Sequence, residues 1–420
     1  MVERLVLDNG IRIVAERMTG VKSVSIGLWV NIGSRDETAE EHGLSHFLEH
    51  MFFKGTRRRS AKEIARKIDA LGGELNAFTS RETTTFYAKV LDDHLPHAVD
   101  ILSDNFHRSV FDPREIAKEK EVVIEEIKMV EDDPEDLVHE MHLAEVWRKN
   151  PLGRPILGTR ETISGITRSK ILKFLARTYD PKQIVIAVAG HFKTSALMTL
   201  LGGAFEKYRA DATAVTPRDA PEIHPHVQVK RRKLEQVHLC VSLPGLSDTD
   251  PNRYALAVLN TILGGSVSSR LFQEVRERHG MAYSIYSSLS SYQGGGLVTL
   301  YAATRAQNTH KVLDLILKAL RGIKENGIDT IELEEAKNHI KGSMMLGMES
   351  TSSRMGRLAK NEIRFGRDFS LSSVLRQIDK VQKRHVHHLA DRFFDLRLLS
   401  LTAIGNIDAS DLPDTLAVSN

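Results

Sequence analysis

The stretch FLARTYDPKQIVIAVAGHF, Phe174–Phe192, has a faint double near the end of the chain, LADRFFDLRLLSLTAIGNI, Leu389–Ile407. Asp180 aligns with Asp395 and Gly190 with Gly405, at the same offset. Further upstream, TTTFYAKV, Thr83–Val90, is echoed by LVTLYAAT, Leu297–Thr304. The matches recur in the same order, which is the mark of an internal duplication. Between the copies, DATAVTPRDAPEIHPHV, Asp211–Val227, lacks periodicity and is rich in Pro, Ala and Asp, as an interdomain linker would be. The expected fold class is therefore α+β. Two homologous domains, 1–210 and 228–420, flank a linker at 211–227, and each packs a mixed, mostly antiparallel sheet against helices.

Composition agrees. A chain of 420 residues with 41% hydrophobic content exceeds one ordinary core. A net charge of +3 is too small for a dedicated nucleic-acid binder. The only cysteine, Cys240, allows no internal disulfide and lies in the strand-like VHLCVSLPG as a small buried residue. The N-terminal MVERLVLDNGIRIVAE carries charges every few residues, unlike a signal peptide, and reads as two strands around a DNG turn. No apolar run is long enough to span a membrane, so a cytoplasmic location without membrane partners is expected.

Local patterns place the remaining elements. VKSVSIGLWVNIG and TTTFYAKVL read as strands, and AKEIARKIDALG as a helix with a glycine stop. Asp112–Asp132 reads as a long helix with Asp112 as N-cap and Pro113 at its first position.

The chemistry concentrates in HGLSHFLEHMFFKGT, His42–Thr56. His46 and His50 stand four residues apart, so a helix puts both imidazoles on one face. Two imidazoles so placed can hold one tetrahedral Zn²⁺. Glu49 leans to the same side, placed to take a proton from a water on the metal. The order H-x-x-E-H is the reverse of the commoner zinc-protease pattern. With 18 histidines in the chain, the pattern does not stand alone. Phe47, Leu48, Met51, Phe52 and Phe53 make the helix a buried one, where polar groups need partners. The duplication sharpens this: the second copy has LAVLN, Leu256–Asn260, near the corresponding place, so the fold itself does not need the ionisable residues.

A catalytic zinc usually takes three protein ligands. The helix DPREIAKEKEVVIEEIKMVEDD offers Glu119 and Glu126, two turns apart on one face with Val122, Val123, Met129 and Val130. That face is expected to point inward, and Glu115, Glu121 and Glu125 outward.

HFLEH followed at a distance by EKEVVIEEI, together with GGELNAFTSRETTTFYA and SSRLFQEVRERHGMAYS, resembles the pitrilysin family of zinc metallopeptidases over essentially the whole chain. The resemblance implies His46, His50 and Glu126 as zinc ligands, one Zn²⁺ per chain, Glu49 as general base and Glu119 as a second acidic residue assisting catalysis or holding a ligand. It implies that Arg276 and Tyr283 stabilise the oxygen of the scissile peptide. Without the resemblance, their own surroundings favour a helix-surface arginine and a packed strand tyrosine. It further implies that GELNAFTS is an edge strand to which an extended peptide adds, with Asn76, Ala77 and Phe78 as contacts. The family shape is a half clam-shell, two of which close around a chamber. This chain carries both zinc motif and Arg–Tyr pair, so the expectation is a zinc endopeptidase acting on extended or unfolded oligopeptides as a homodimer. The alternatives are a subunit needing a metal-free homologous partner in a heterodimer, and a non-catalytic structural subunit.

Other motifs are read as bland. HVHH, His385–His388, HPH in the linker, RRR at Arg57–Arg59 and KRRK at Lys230–Lys233 are expected to face solvent. GGG at Gly294–Gly296 lacks the Lys and Ser/Thr of a phosphate loop and is expected to turn a hairpin.

Overall fold

The computed structural model describes residues 2–209 and 217–413. The first half runs β1 Val2–Val6, β2 Arg12–Arg17, β3 Ser23–Val30, α1 Leu44–Met51, α2 Ala61–Ala70, β4 Glu74–Thr79, β5 Thr84–Leu91, α3 Leu95–Arg108, α4 Pro113–Asp132, α5 Pro134–Val146, α6 Arg160–Ser164, α7 Arg168–Thr178, β6 Ile184–Gly190 and α8 Thr194–Phe205. The second runs β7 Val227–Arg231, β8 Val237–Gly245, α9 Arg253–Leu263, a π-helical stretch Phe272–Arg278, β9 Ala282–Tyr292, β10 Gly295–Thr304, α10 Thr309–Asn326, α11 Thr330–Gly347, α12 Thr351–Phe365, α13 Leu371–Asp379, α14 Lys383–Phe393 and β11 Ser400–Gly405. Residues 211–216 of the proposed linker lie outside the described residues; 217–226 carry no helix or strand, and the last linker residue, Val227, already begins β7.

One sheet has the order β1-β2-β6-β3-β5-β4, the other β7-β11-β8-β10-β9. Without β1 the two orders are the same once β2–β6 are matched to β7–β11. The pairing senses also match. β2 with β6 and β7 with β11 are parallel; the other corresponding pairs are antiparallel. The aligned residues repeat their roles. Asp180 accepts the Lys182 N–H at 2.8 Å and Asp395 the Arg397 N–H at 3.0 Å, each capping the short turn before the last strand. Gly190 and Gly405 end those strands at φ 140° and 155°. A Cβ would lie 2.3 Å from Ser23 O at Gly190 and 2.8 Å from Val237 Cα at Gly405, so only glycine fits.

The compact units are not the two halves of the chain. One unit comprises Met1–Met129, Arg154–Pro217 and Met345–Phe369; the other comprises Val130–Gly153, Arg218–Met344 and Ser370–Asn420. Relative to the expected 1–210 and 228–420, each half gives one segment away, carrying α5 and α12, which hold the same place in the repeat.

Strand alternation explains why. In the first unit Val24, Ile26, Leu28 and Val30 of β3 and Ile184, Ile186 and Val188 of β6 enter the main core with α1, α3 and α7. The intervening residues point the other way: Trp29, Val185, Ala187 and Ala189 meet Met355, Leu358 and Ala359 of α12. Both faces of the central strands are covered, so IVIAVAG is continuously buried. Ion pairs frame this seat. Arg354 and Arg357 hold Glu16 at 2.6 and 2.9 Å, and Glu362 holds Arg4 at 2.9 Å.

In the second unit Val237, Leu239, Val241 and Leu243 of β8 enter the core, and the opposite face receives α5. Here the seat is polar. His142 is fully buried, its Nε2 2.7 Å from Ser242 Oγ and its Nδ1 3.1 Å from Thr402 Oγ1. His226 Nε2 reaches the same Thr402 hydroxyl at 2.9 Å, His139 Nε2 lies 3.2 Å from the Tyr286 hydroxyl, and His238 Nδ1 lies 2.8 Å from the Tyr301 hydroxyl. This corrects the reading of HPH as exposed: His224 is buried and His226 half-buried against β11. Arg59 is likewise buried on Asp104, at 2.7 Å, rather than solvated. Cys240 is fully buried beside this seat, and burial pushes its thiol far up, away from reactivity.

Candidate metal centre

α1 has eight residues. Leu44, Phe47, Leu48 and Met51 are buried in the core and fix which way the helix is rolled. His46, Glu49 and His50 then face away from it, and α1 packs against β4 and β5. α4 supplies the carboxylates. Its first turn is capped by Asp112, which accepts the Arg114 N–H at 2.7 Å.

Three atoms converge. His46 Nε2 and His50 Nε2 lie 3.3 Å apart, and Glu126 Oε2 lies 3.7 and 3.6 Å from them. Ligand atoms about 2.0–2.1 Å from a tetrahedral zinc are separated by roughly 3.3–3.4 Å, so this triangle has the right size. Among the described residues this is the one cluster of three such groups within 4.8 Å. Glu126 Oε2 is buried with no hydrogen-bond partner. Two imidazole nitrogens facing each other beside an unsatisfied carboxylate oxygen are what a cation would satisfy. The donor set, two nitrogens and one oxygen, suits zinc.

Glu119 lies behind this triangle. One carboxylate oxygen is 2.8 Å from His50 Nδ1 and the other 2.5 Å from Lys54 Nζ. The bond leaves Nε2 as the free ligand nitrogen and fixes the ring plane. Glu119 therefore orients the His50 ring. Burial pushes its carboxyl up, but bonds from His50 and Lys54 outweigh this and hold it below the usual range. Burial, then the neighbouring His50, push His46 down to about 4, so its ring is neutral and keeps a lone pair. For His50 burial lowers the proton affinity, and Glu119, Glu126 and Glu49 raise it to a net increase. Glu49 is pushed up by burial, against a 2.7 Å bond from the Thr79 hydroxyl.

α4 departs from expectation in one respect. Val122 and Met129 are 45% and 70% exposed, whereas Glu119 and Val123 are buried. At about 100° per residue, Glu119, Val123 and Val130 fall to one side of Glu126 and Val122 and Met129 to the other. Glu126 therefore marks the border between buried and open faces, which lets its carboxylate reach a site that solvent also reaches.

β4 is an edge strand, bonded within its sheet only to β5. Asn76 and Phe78 are exposed on it and Ala77 is buried; Phe78 packs edge-on against Trp29 at 5.4 Å. Arg276 and Tyr283 belong to the other unit. Arg276 sits on the π-helical stretch with its guanidinium 4.7 Å from the centre of the Tyr283 ring, which is 78% exposed at the start of β9. The residues that spacing did not reveal are Thr79, Lys54 and Glu37. Glu37 is fully buried and accepts N–H bonds from Ser45 at 2.6 Å and Gly43 at 2.8 Å. Burial pushes its carboxyl up to about 8, against those donors.

Comparison with known proteins places the chain. Residues 12–160 match the insulinase domain of peptidase family M16, and residues 165–340 match the M16 inactive domain. An uncharacterized zinc protease of Bacillus subtilis, YmxG, is 44% identical over 97% of this chain and all of its own length. An uncharacterized zinc protease of Streptomyces coelicolor is 40% identical over 99% of this chain and 93% of its own. A crystal structure of a Helicobacter pylori protease shares the fold with TM-score 0.91 at 21% identity, covering 96% of this chain and 99% of that one. No helix among the described residues is long and apolar enough to cross a membrane. With relatives this similar over its whole length, the chain belongs to the M16, or pitrilysin-type, family of zinc proteases.

Proposed function

We propose that this protein is a zinc-dependent endopeptidase that hydrolyses extended or unfolded peptides, with one Zn²⁺ per chain held by His46, His50 and Glu126. The observation that carries this reading is the convergence of those three ligand atoms, with Glu119 behind His50 and Glu49 on the same two-turn helix. When bound, the metal supplies Lewis acidity to the attacking water and the scissile carbonyl. Glu49 takes the proton of the water and later delivers it to the leaving amine. Its raised proton affinity suits that exchange, and the Thr79 hydroxyl fixes its carboxylate. A substrate strand adds to the free edge of β4 beside Asn76, Ala77 and Phe78, which favours extended chains over folded ones. Arg276, held against Tyr283 by a cation–π contact, is assigned with it to the oxygen of the scissile peptide. The chain acts in the cytoplasm as a homodimer.

Two measurements test this. The purified chain should cleave a quenched peptide and lose that activity on chelation, with recovery on adding zinc. Glu49→Gln should keep its zinc and lose turnover by about 10²–10⁴-fold. Wild-type rates in that variant would refute the mechanism. Activity appearing only when a second, metal-free chain is added would replace the homodimer by a heterodimer. Absence of zinc binding would leave a structural subunit.

A further inference from the structure

We infer that Glu37 is a positioning residue for the metal centre, setting the orientation of α1 from its N-terminal end. The assignment rests on the zinc reading above. α1 is two turns long, too short to hold itself, and carries both histidine ligands and the general base. The first N–H groups of a helix have no partner within it. The N-cap position is Gly43, which has no side chain to offer and sits at φ 90°. A Cβ there would lie 2.7 Å from Leu157 O, so no capping side chain fits.

Glu37 supplies the missing acceptor from six residues upstream. Its side chain is buried, and its two oxygens divide the work: Oε1 takes the Ser45 N–H at 2.6 Å and Oε2 the Gly43 N–H at 2.8 Å. Ser45 directly precedes His46. Glu37 is itself held from both sides. Its carbonyl accepts a bond from the Arg154 guanidinium at 3.0 Å. The turn before it is bonded to the β4–β5 hairpin, Ser34 N–H to Ser80 O at 3.3 Å and Arg35 N–H to Arg81 O at 2.8 Å. That hairpin also carries Thr79, the partner of Glu49. Glu37 thus ties the helix bearing the ligands to the edge strand, and each of its two oxygens accepts one of these N–H bonds. A glutamine presents one oxygen and one NH₂, and leaves one N–H facing a donor.

The test is Glu37→Gln, shown folded by its melting transition. Zinc affinity by chelator competition should fall about 10–100-fold, as for other residues that orient ligands. The absorption spectrum of the cobalt-substituted protein should shift, and kcat should fall with KM held. A folded variant with wild-type zinc affinity and cobalt spectrum overturns the assignment. If the variant does not fold, hydrogen exchange in the wild type decides: the Gly43 and Ser45 amides should be protected, and fast exchange there overturns it. A wild-type chain that binds no zinc overturns the zinc reading and this assignment together. Wild-type binding matched by Glu37→Gln overturns this assignment alone.

Discussion

Glu119 shows how much a single buried carboxylate determines. It bonds His50 on one side and Lys54 on the other, so it controls the tautomer and plane of the ring that the zinc proposal makes a ligand. Glu119→Gln should weaken zinc binding about 10–100-fold while leaving the protein folded, as read by chelator competition beside a melting curve. Residues of this kind are legible in sequence to different depths. His46, Glu49 and His50 are singled out by helical spacing together with the apolar residues around them. Glu119 and Glu126 follow from a two-turn spacing, but only the fold shows that one orients and the other converges on the histidines. Glu37 and Thr79 leave no periodic trace, because each reaches α1 across loops. The placement of Val122 and Met129 was misread for a related reason: helical spacing gives a stripe, and the border of the stripe depends on what covers it.

At the scale of elements, α5 and α12 are equivalent helices on equivalent sheets, seated by different chemistry. α12 is framed by arginine–carboxylate pairs, which stay charged through the physiological range. α5 is seated through His139 and His142, with His226 and His238 alongside, and burial pushes all four downward, His142 well below 6.5. The carboxylates of Glu135, Asp136, Asp133 and Glu145 oppose this for the outer histidines, whereas the titratable groups acting on His142 are the imidazoles of His226 and His139. A histidine whose pKa is depressed by folding stabilises the fold above its unfolded value near 6.5, and this is lost as pH falls below it. Hydrogen exchange, corrected for intrinsic rates, should therefore show α5 losing protection between about pH 7 and 5 while α12 keeps it. Equal loss in both helices would contradict this. The strand-closing glycines give a second expectation: Gly190→Ala and Gly405→Ala should each destabilise by about 1–3 kcal/mol in denaturant titrations, since each needs positive φ and close backbone contact. The aligned Asp and Gly residues made the duplication readable. The linker reading hid His224 and His226, because proline-rich sequence indicates irregular backbone and not exposure.

For the whole molecule, the exchange of α5 and α12 means that neither half is by itself one of the compact units. An amphipathic pattern shows that a helix has a face to bury, and says nothing of which sheet takes it, so the exchange was not legible in sequence. Residues 1–217 alone lack α12 and leave Trp29, Val185, Ala187 and Ala189 without their cover. That fragment should bind a hydrophobic dye and melt without cooperativity, and adding the peptide 345–369 should restore a transition. A cooperative fragment that ignores the peptide would show the exchanged helix to be dispensable.

The same exchange sets a timetable for synthesis. The first sheet is complete as a strand set once β6 has left the ribosome, yet its second face waits for a helix encoded roughly 150 residues later. At about 5–20 residues per second, that interval is on the order of 10–30 seconds. Throughout it the aromatic and aliphatic strip that α12 covers in the finished fold has no partner from its own chain, the kind of transient exposure that invites aggregation.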